Sequence, residues 1–174
     1  MTPRYFTEKC TYAHIPRLIE MQEVEAAGSE LSHTVRTVKE WEHIIDTYEH
    51  AEIYHDKQND DFYFGYMMAA QVENSIWIRE IYNHADYRGA GFKELSNWDD
   101  NRPVRKMVMK AHELGGICIA PVSANNKIAI GAITHAYNFR VDREIEDWYG
   151  AGNNLAICIE DTGTEMYTYH DPKV

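Results

Sequence analysis

Residues 80 to 91 read Glu80-Ile81-Tyr82-Asn83-His84-Ala85-Asp86-Tyr87-Arg88-Gly89-Ala90-Gly91. A strand-like run breaks here into a turn with a glycine on each side of Ala90, and Arg88 lies at its mouth. Glycines let the main chain approach a ligand closely, and a helix that starts after such a turn presents its positive dipole end. The segment therefore predicts a binding site for a phosphate group.

The size and charge of the chain limit its class. It has 174 residues, of which 44% are hydrophobic and 12% aromatic, so we predict one domain over residues 1–174 with a substantial core. Lys and Arg number 17 against 28 Asp and Glu, which gives a formal net charge of -11 at pH 7. Negative charge disfavours nucleic acid as a partner and favours acceptors that carry an amine or a basic tail.

Cysteine use and hydropathy predict an intracellular protein. Cys10, Cys118 and Cys158 are far apart and odd in number, so we expect reduced core thiols rather than a disulfide framework or a cysteine zinc site. No apolar run approaches the roughly 20 residues that span a bilayer, and the N-terminus lacks a basic-then-apolar leader. We therefore expect a cytoplasmic location and no membrane partner.

Hydrophobic periodicity predicts the elements of the first half of the chain. They are a strand, two helices and two further strands, at 4–9, 15–28, 38–48, 51–56 and 62–72. Thr37 is the predicted N-cap of the second helix. Because residues 62–70 are apolar on both alternating faces, we expect that strand at the centre of a sheet.

The second half predicts strands and helices in alternation. They are a strand, a helix, a strand, a helix and two strands, at 76–84, 104–114, 117–122, 129–136, 140–148 and 155–160. Pro103 suits the first turn of its helix. Ala129, Ala132, Ile133 and Ala136 give the last helix a small-residue face that can pack tightly on a sheet.

This order of elements resembles the GNAT superfamily of acyl-CoA N-acyltransferases. The most specific match is residues 80–91, which resemble that family's E-I-Y-V-x-P-x-Y-R-G-x-G stretch at the end of its fourth strand. The resemblance implies an α/β fold of the α+β type, with a mixed, mostly antiparallel twisted sheet of six to seven strands and about four helices on its faces. It also implies acetyl-CoA as acyl donor, no metal, and transfer to an amine of a small molecule or protein.

The resemblance assigns a set of residues to the cofactor. Arg88-x-x-Gly91 matches the first half of the family's Q/R-x-x-G-x-G/A signature, whose backbone amides hold the coenzyme A pyrophosphate. Lys93 stands where the family has a second small residue, and its charge can pair with the diphosphate. The complete implied set is Asn83, His84, Arg88, Gly89, Ala90, Gly91, Lys93 and Asn126.

A second match lies at the last predicted helix. Asn126-x-x-Ala129 resembles the family's N-x-x-A start of the helix that lines the pantetheine arm. Asn138-Phe139 stands near the family's Gly-Phe, and asparagine tolerates the left-handed conformation that such a helix end needs.

Glu80 is our candidate base. Acyl transfer to an amine needs a group to take the amine proton and a donor to the thioester oxygen. Ile78, Ile81 and Tyr82 flank Glu80 and could desolvate it, which would make it a better base; a solvent-exposed glutamate is the alternative. The resemblance places the oxygen donor in the backbone around Asn83 and His84.

Three further residues are candidates for the site. Thr134 stands where the family carries a tyrosine that protonates the departing thiolate, with His135 beside it, so we assign Thr134 to the catalytic set. Tyr66 and Tyr82 are candidates for lining the acceptor pocket, and packing in the core is the alternative for both.

His50, Glu52 and His55 raise the alternative of a metal site. On a strand, however, His50 and Glu52 share one face while His55 takes the other. The pattern therefore favours surface histidines, and we expect no metal.

Two other functions stay open. One is a catalytically inactive protein of this fold that binds a partner or has a structural role, for example in a bacteriophage virion. Lys93 and the missing tyrosine suggest it. The other is a DNA-base-modifying enzyme of this fold, with a basic stripe at Arg102, Arg105, Lys106 and Lys110. The sequence does not fix the oligomeric state, and a homodimer is compatible with it.

Overall fold

The structure is a computed structural model that describes residues 5–28, 35–59, 62–87, 103–148 and 150–162. Within these ranges the strands are β1 Tyr5–Lys9, β2 His50–Asp56, β3 Phe62–Val72, β4 Ser75–Asn83, β5 Cys118–Ser123, β6 Phe139–Ile145 and β7 Leu155–Glu160. The helices are α1 Ile15–Gly28, α2 Val38–Thr47, α3 Pro103–Glu113 and α4 Lys127–Tyr137. Every strand and helix named from periodicity is present, most within two residues of the predicted bounds.

Hydrogen bonds order the strands as β1-β2-β3-β4-β5-β7-β6. The pairs β1 with β2, β2 with β3, β5 with β7 and β6 with β7 are antiparallel. β4 and β5 are parallel and pair Ile76 with Cys118 and Trp77 with Ile119. A mixed, mostly antiparallel sheet with four helices confirms the predicted fold class.

The chain forms two compact units. The first contains the described residues up to Ala70 and those from Arg79 to Pro103. The second contains Gln71–Ile78 and the described residues from Val104 onward. Strands β3 and β4 therefore contribute residues to both units.

The core of the first unit lies where α1 and α2 cover β2, β3 and β4. Its buried members are Cys10, Ile15, Leu18, Met21, Trp41, Ile44, Ala51, Ile53, Tyr66, Met68 and Tyr82. α1 buries side chains at the three-to-four-residue spacing of one helical face. α2 starts at the predicted N-cap, because the Thr37 side chain accepts from the Glu40 backbone and the Glu40 carboxylate accepts from the Thr37 N–H.

The core of the second unit consists of one tryptophan and aliphatic residues. Its buried members are Trp77, Ile117, Ile119, Leu155, Ile157 and Ile159. Alternate residues of β7 face this core, as the two-residue repeat of a strand requires. The predicted end of α3 at its glycine pair is also present: Gly115 has a φ of 73°, and a side chain at Gly116 would overlap the Asn74 carbonyl.

One detail of the sequence prediction is wrong, and one is right only in part. β6 ends at Ile145 rather than at residue 148, because Asp147 has a φ of 52° and turns the chain. The predicted small-residue face of α4 is buried only in part, since Ala129 is half-buried and Ala132 and Ala136 are exposed. Ile133, about a quarter-turn from them, is the residue of α4 that is buried.

The three cysteines are buried and free, which confirms the prediction of core thiols. Burial, together with the Glu52 and Glu8 carboxylates as smaller causes, raises the pKa of Cys10 to about 12. Burial alone raises the pKa of Cys158 to about 11. In the described ranges, no helix is both long and apolar enough to cross a membrane.

Candidate functional site

Glu80 on β4 is the centre of a polar cluster in the first unit. Its Oε1 accepts hydrogen bonds from the Gln22 amide at 2.9 Å and from the Tyr66 hydroxyl at 2.5 Å. Its Oε2 accepts one from the Arg36 guanidinium, with which it forms an ion pair. The Glu80 side chain is 22% exposed. This lies between the two alternatives considered from the sequence, a desolvated glutamate and a solvent-exposed one. Three donors therefore hold the candidate base in one orientation.

Arg36 lies immediately before α2 and is itself held in place. Its backbone N–H donates to Oε1 of Gln22 at 2.8 Å, and its Cζ lies 5.3 Å from the centroid of the Trp41 ring. The first contact fixes the backbone, and the second stabilises the cation through the electron-rich face of the indole. The side chain of Arg36 is 32% exposed, so part of it is open to solvent.

Tyr66 and Tyr82 stack on each other with ring centroids 5.7 Å apart and planes inclined by 21°. They are 2% and 5% exposed, so both rings lie in the core of the first unit. Burial, followed by the nearby Glu80 carboxylate, raises the pKa of Tyr66 far above its usual range. The phenol therefore stays protonated and donates to Glu80. The pocket-lining role of the two tyrosines stays a prediction.

The end of β4 lies unusually close to β3. A Cβ at Gly65 would stand 2.5 Å from the Tyr82 carbonyl oxygen and 2.8 Å from Asn83 Oδ1, so this position requires glycine. The backbone N–H of His84 donates to the Phe64 carbonyl at 2.7 Å. The His84 N–H, which the resemblance makes a candidate donor to the thioester oxygen, therefore forms a hydrogen bond with β3 in this structure. The role of Asn83 stays a prediction.

Beyond β4 the chain enters a short 3-10 turn, Ala85–Tyr87, which is anchored to the first unit. Tyr87 stacks on Phe64 with centroids 4.5 Å and planes 9° apart. Its hydroxyl donates at 3.0 Å to Oδ2 of Asp56, a fully buried carboxylate whose Oδ1 accepts from the Gln58 N–H. The cofactor residues predicted after this turn lie outside the described ranges: Arg88, Gly89, Ala90, Gly91 and Lys93.

Both ends of α4 have the geometry that the sequence predicts. Asn126 caps its start, because its Oδ1 accepts from the Ala129 N–H at 3.0 Å. Asn138 ends it in the left-handed conformation, with φ 58° and ψ 42°. The Asn138 amide also donates to the Asp161 carbonyl at 2.9 Å, which fixes the path into β6.

The second unit contains a cavity of about 350 Å³ between α3 and the C-terminal part of α4. It is lined by Arg105, Val108, Thr134, His135, Ala136, Tyr137 and Asn138. Arg105 supplies a permanent positive charge, so the cavity suits a ligand that carries negative charge.

No protein-family model matches this chain, and no curated protein matches it by sequence. Solved structures do match its fold. Ard1 from Thermoplasma volcanium superposes with a TM-score of 0.68 at 11% identity, over 90% of this chain and 97% of that one. The ribosomal-protein-S18-alanine N-acetyltransferase from Escherichia coli gives 0.62 at 12% identity, over 94% and 99%. Arabidopsis thaliana Naa50, in complex with the bisubstrate analogue CoA-Ac-MVNAL, gives 0.61 at 15% identity, over 90% and 98%.

The chain has the GNAT fold. The three likenesses each extend over at least 90% of the chain. This confirms the fold that the resemblance of residues 80–91 implies. At identities of 11 to 15%, the likeness is evidence for the fold alone.

Thr134 stands at the position where the GNAT resemblance expects a proton donor. In the structure its hydroxyl donates to the Ile130 carbonyl at 2.8 Å, one turn earlier in α4. The Nδ1 of His135 lies 2.9 Å from the Gly131 carbonyl, which can only accept, so Nδ1 carries a proton and Nε2 is the free nitrogen of the neutral ring. The catalytic role of Thr134 stays a prediction.

The histidines on β2 do not form a metal site. Among the described residues, no group of three or more His, Cys, Asp or Glu side chains is arranged to hold a metal ion. The interpretation of these residues as surface histidines is wrong for His55, which is 9% exposed. Its ring is covered by Tyr63, with centroids 5.3 Å apart, and its Nε2 lies 3.8 Å from the Glu8 carboxylate.

Sequence reasoning missed Gln22 and Arg36, the two residues that complete the Glu80 cluster of this GNAT fold. Gln22 carries a usable signal, because it is a polar residue on the buried face of α1 and is 5% exposed. Arg36 carries none, since it lies in the connection before α2 and meets its partner only in the folded chain.

Proposed function

We propose that this chain is an acyl-CoA-dependent N-acyltransferase that moves an acetyl group from acetyl-CoA to an amine. The observation that carries the proposal is the Glu80 carboxylate, which Gln22, Arg36 and Tyr66 hold on the fourth strand of a GNAT fold. A general base needs a fixed position and access to the acceptor. Glu80 has the first through its three donors and the second through its partial exposure.

Two solved structures of the same fold support the substrate classes. The Escherichia coli protein is a ribosomal-protein-S18-alanine N-acetyltransferase, and Naa50 was solved with an analogue that joins CoA to an acetylated sequence. By analogy of fold, we assign a CoA-borne acetyl group and an amine-bearing acceptor to this chain.

In the proposed mechanism Glu80 takes a proton from the acceptor ammonium and passes it to solvent. A carboxylate has about four lone-pair directions, and three are occupied here, so one remains for the acceptor. Acetyl-CoA supplies an activated acetyl group as a thioester. The amine nitrogen forms a bond to the acetyl carbon, the carbon–sulfur bond breaks, and the second amine proton reaches the departing sulfur through water. Water fills this role because the Thr134 hydroxyl donates within α4.

The residues of the second unit fit a phosphate-bearing cofactor. Arg105 and His135 line a cavity of about 350 Å³. A guanidinium binds phosphate through paired N–H donors. We propose that Arg105 and His135, with the N-capped start of α4 at Asn126, contact the coenzyme.

A binding protein without catalysis is the second candidate function. The observation that favours it is the internal hydrogen bond of Thr134, which leaves the expected donor position without a free hydroxyl proton. Such a protein would bind acetyl-CoA or a partner and release no free CoA.

The experiment that tests the proposal measures binding and turnover in the same preparation. Acetyl-CoA is titrated calorimetrically into the protein, and free CoA is then followed with a thiol reagent in the presence of a panel of amines. Binding with amine-dependent thiol release supports the transferase. Binding without release supports the second candidate. No binding of acetyl-CoA up to about 1 mM, a limit that corresponds to about 4 kcal/mol, overturns the transferase and leaves for the second candidate only the binding of a partner.

A further inference from the structure

The Glu80 cluster places one positive and one negative group side by side at a partly exposed position. Arg36 and Glu80 form an ion pair with side-chain exposures of 32% and 22%, and both belong to the first unit. The pair is locally neutral. Any ligand that binds here meets both charges at once.

A ligand with a single charge fits this pair poorly. A simple amine would be attracted by Glu80 but repelled by Arg36, and a simple carboxylate would meet the reverse arrangement. These interactions are strong at partly buried positions, because the effective dielectric constant is well below that of water. A ligand that carries both charges at short spacing gains from both residues.

We propose that the acceptor is a small zwitterion of the amino-acid type, whose carboxylate binds Arg36 and whose amine binds Glu80. This inference rests on the proposed function and narrows its acceptor class. The ion pair between the two residues exchanges for two ion pairs with the ligand. Arg36 is then a specificity-determining residue, and Glu80 keeps its role as base.

The surrounding contacts allow this exchange without loss of either charged group's position. Glu80 keeps Gln22 and Tyr66 as donors to Oε1 when Arg36 leaves Oε2. Arg36 keeps its backbone hydrogen bond to Gln22 and the ring of Trp41 beneath its guanidinium. Both charges therefore remain oriented while the bond between them opens.

The net charge of the chain supports a zwitterion over a simple anion. At a formal charge of -11, long-range repulsion disfavours a simple anionic acceptor, which lacks the phosphate contacts proposed for the coenzyme. A zwitterion has no net charge and avoids this repulsion. It also supplies the carboxylate that Arg36, with its planar fork of donors, binds best.

The test compares each free L-amino acid with its own carboxamide, which lacks the carboxylate charge and has a more acidic ammonium group, and includes spermidine as a polycation. Turnover is measured as amine-dependent thiol release from acetyl-CoA. We expect at least one amino acid to exceed its amide about tenfold or more in kcat/KM, as one charge-assisted pair predicts. Arg36→Gln should abolish this preference. Arg17→Gln, which removes an arginine on α1 whose side chain is 60% exposed, should retain it.

The outcomes separate this inference from the proposed function. If amines are acetylated but amides or spermidine are preferred to the free acids, the zwitterion inference is wrong and the transferase stands. If no amine is acetylated, the transferase fails, and calorimetric binding of the amino acids and amides without acetyl-CoA decides the inference. In that case the zwitterion inference is overturned if the amino acids and their amides bind equally well or do not bind. The wild-type ratio of acid to amide decides the matter even if Arg36→Gln does not fold.

Discussion

Arg36 and Glu80 are 44 positions apart in the sequence and form an ion pair in the fold. The first lies before α2 and the second on β4, and Gln22 on α1 contacts both. Three separate elements of the first unit therefore converge on one carboxylate. This convergence gives Glu80 a fixed orientation, which a strand glutamate facing solvent would lack.

Glu80→Gln should reduce kcat by about 10²- to 10⁴-fold, because it removes the group that takes the amine proton. Glutamine keeps the shape of the side chain and can still accept at one oxygen. The measurement is the steady-state rate of thiol release at saturating acetyl-CoA, with circular dichroism as a check of folding. Glu20→Gln, on α1 with its side chain 61% exposed, is the matched control and should leave kcat unchanged. An unchanged kcat in Glu80→Gln would remove Glu80 from the mechanism.

Gly65→Ala should lower the free energy of unfolding by about 1–3 kcal/mol, because the new Cβ would press on the Tyr82 carbonyl and on Asn83. Gly131→Ala on α4 is the matched control, since nothing lies within 4 Å of its Cβ position. That control should raise stability by about 0.5–1 kcal/mol through helix propensity. Urea unfolding followed by circular dichroism measures both. Equal effects of the two substitutions would contradict the close approach of β3 and β4.

Tyr87→Phe should destabilise the fold by about 1–3 kcal/mol, because it withdraws a hydrogen bond from the buried Asp56 carboxylate and keeps the stacked ring. Tyr12→Phe is the matched control. Its hydroxyl also donates to an aspartate, Asp46 at 2.7 Å, but Tyr12 is 52% exposed, so water replaces the lost bond. We expect less than about 0.5 kcal/mol there. Comparable losses of unfolding free energy in the two variants would show that the burial of Asp56 does not strengthen its hydrogen bond with Tyr87.

Stability should fall as pH rises above about 9. The Cys10 and Cys158 thiols have an ordinary pKa of 9.0, and in the fold their pKa values are about 12 and about 11. Between these values the unfolded chain has lost protons that the folded chain keeps, so the free energy of unfolding decreases with pH. Each thiol contributes a slope of up to about 1.4 kcal/mol per pH unit.

Urea midpoints between pH 7.5 and 10.5 test this dependence, and the decline should be smaller in Cys158→Ala. The stabilisation by the protonated thiols is complete below pH 9, so neutral and mildly acidic solutions serve as the reference. A midpoint that is constant or rises up to pH 10.5 is incompatible with buried thiols of raised pKa.

Local sequence patterns predicted the elements of the fold, because helical and strand periodicity and capping are properties of neighbouring residues. Thr37 and Asn138 have the predicted cap conformations for this reason. The packed face of α4 was predicted only in part: Ile133 is buried, but Ala132 and Ala136 are small enough to suit either a packed or an exposed surface and are exposed.

The candidate site was predictable only in part. Glu80 was identified from its place in a recognisable segment, but its donors come from α1, from the residue before α2 and from β3. Which of these side chains meet depends on the packing of helices on the sheet, which the linear sequence does not encode locally. The internal bonds of Thr134 and of the His84 amide likewise emerge only from the folded backbone.

The most direct test of the central claim is to detect the transferred group itself. The protein is incubated with acetyl-CoA labelled with ¹³C in the acetyl group and with the amine panel, and the amines are analysed by mass spectrometry. The account predicts a labelled N-acetyl product with the wild-type protein and its loss in Glu80→Gln. No labelled amine from a folded protein that binds acetyl-CoA would contradict it.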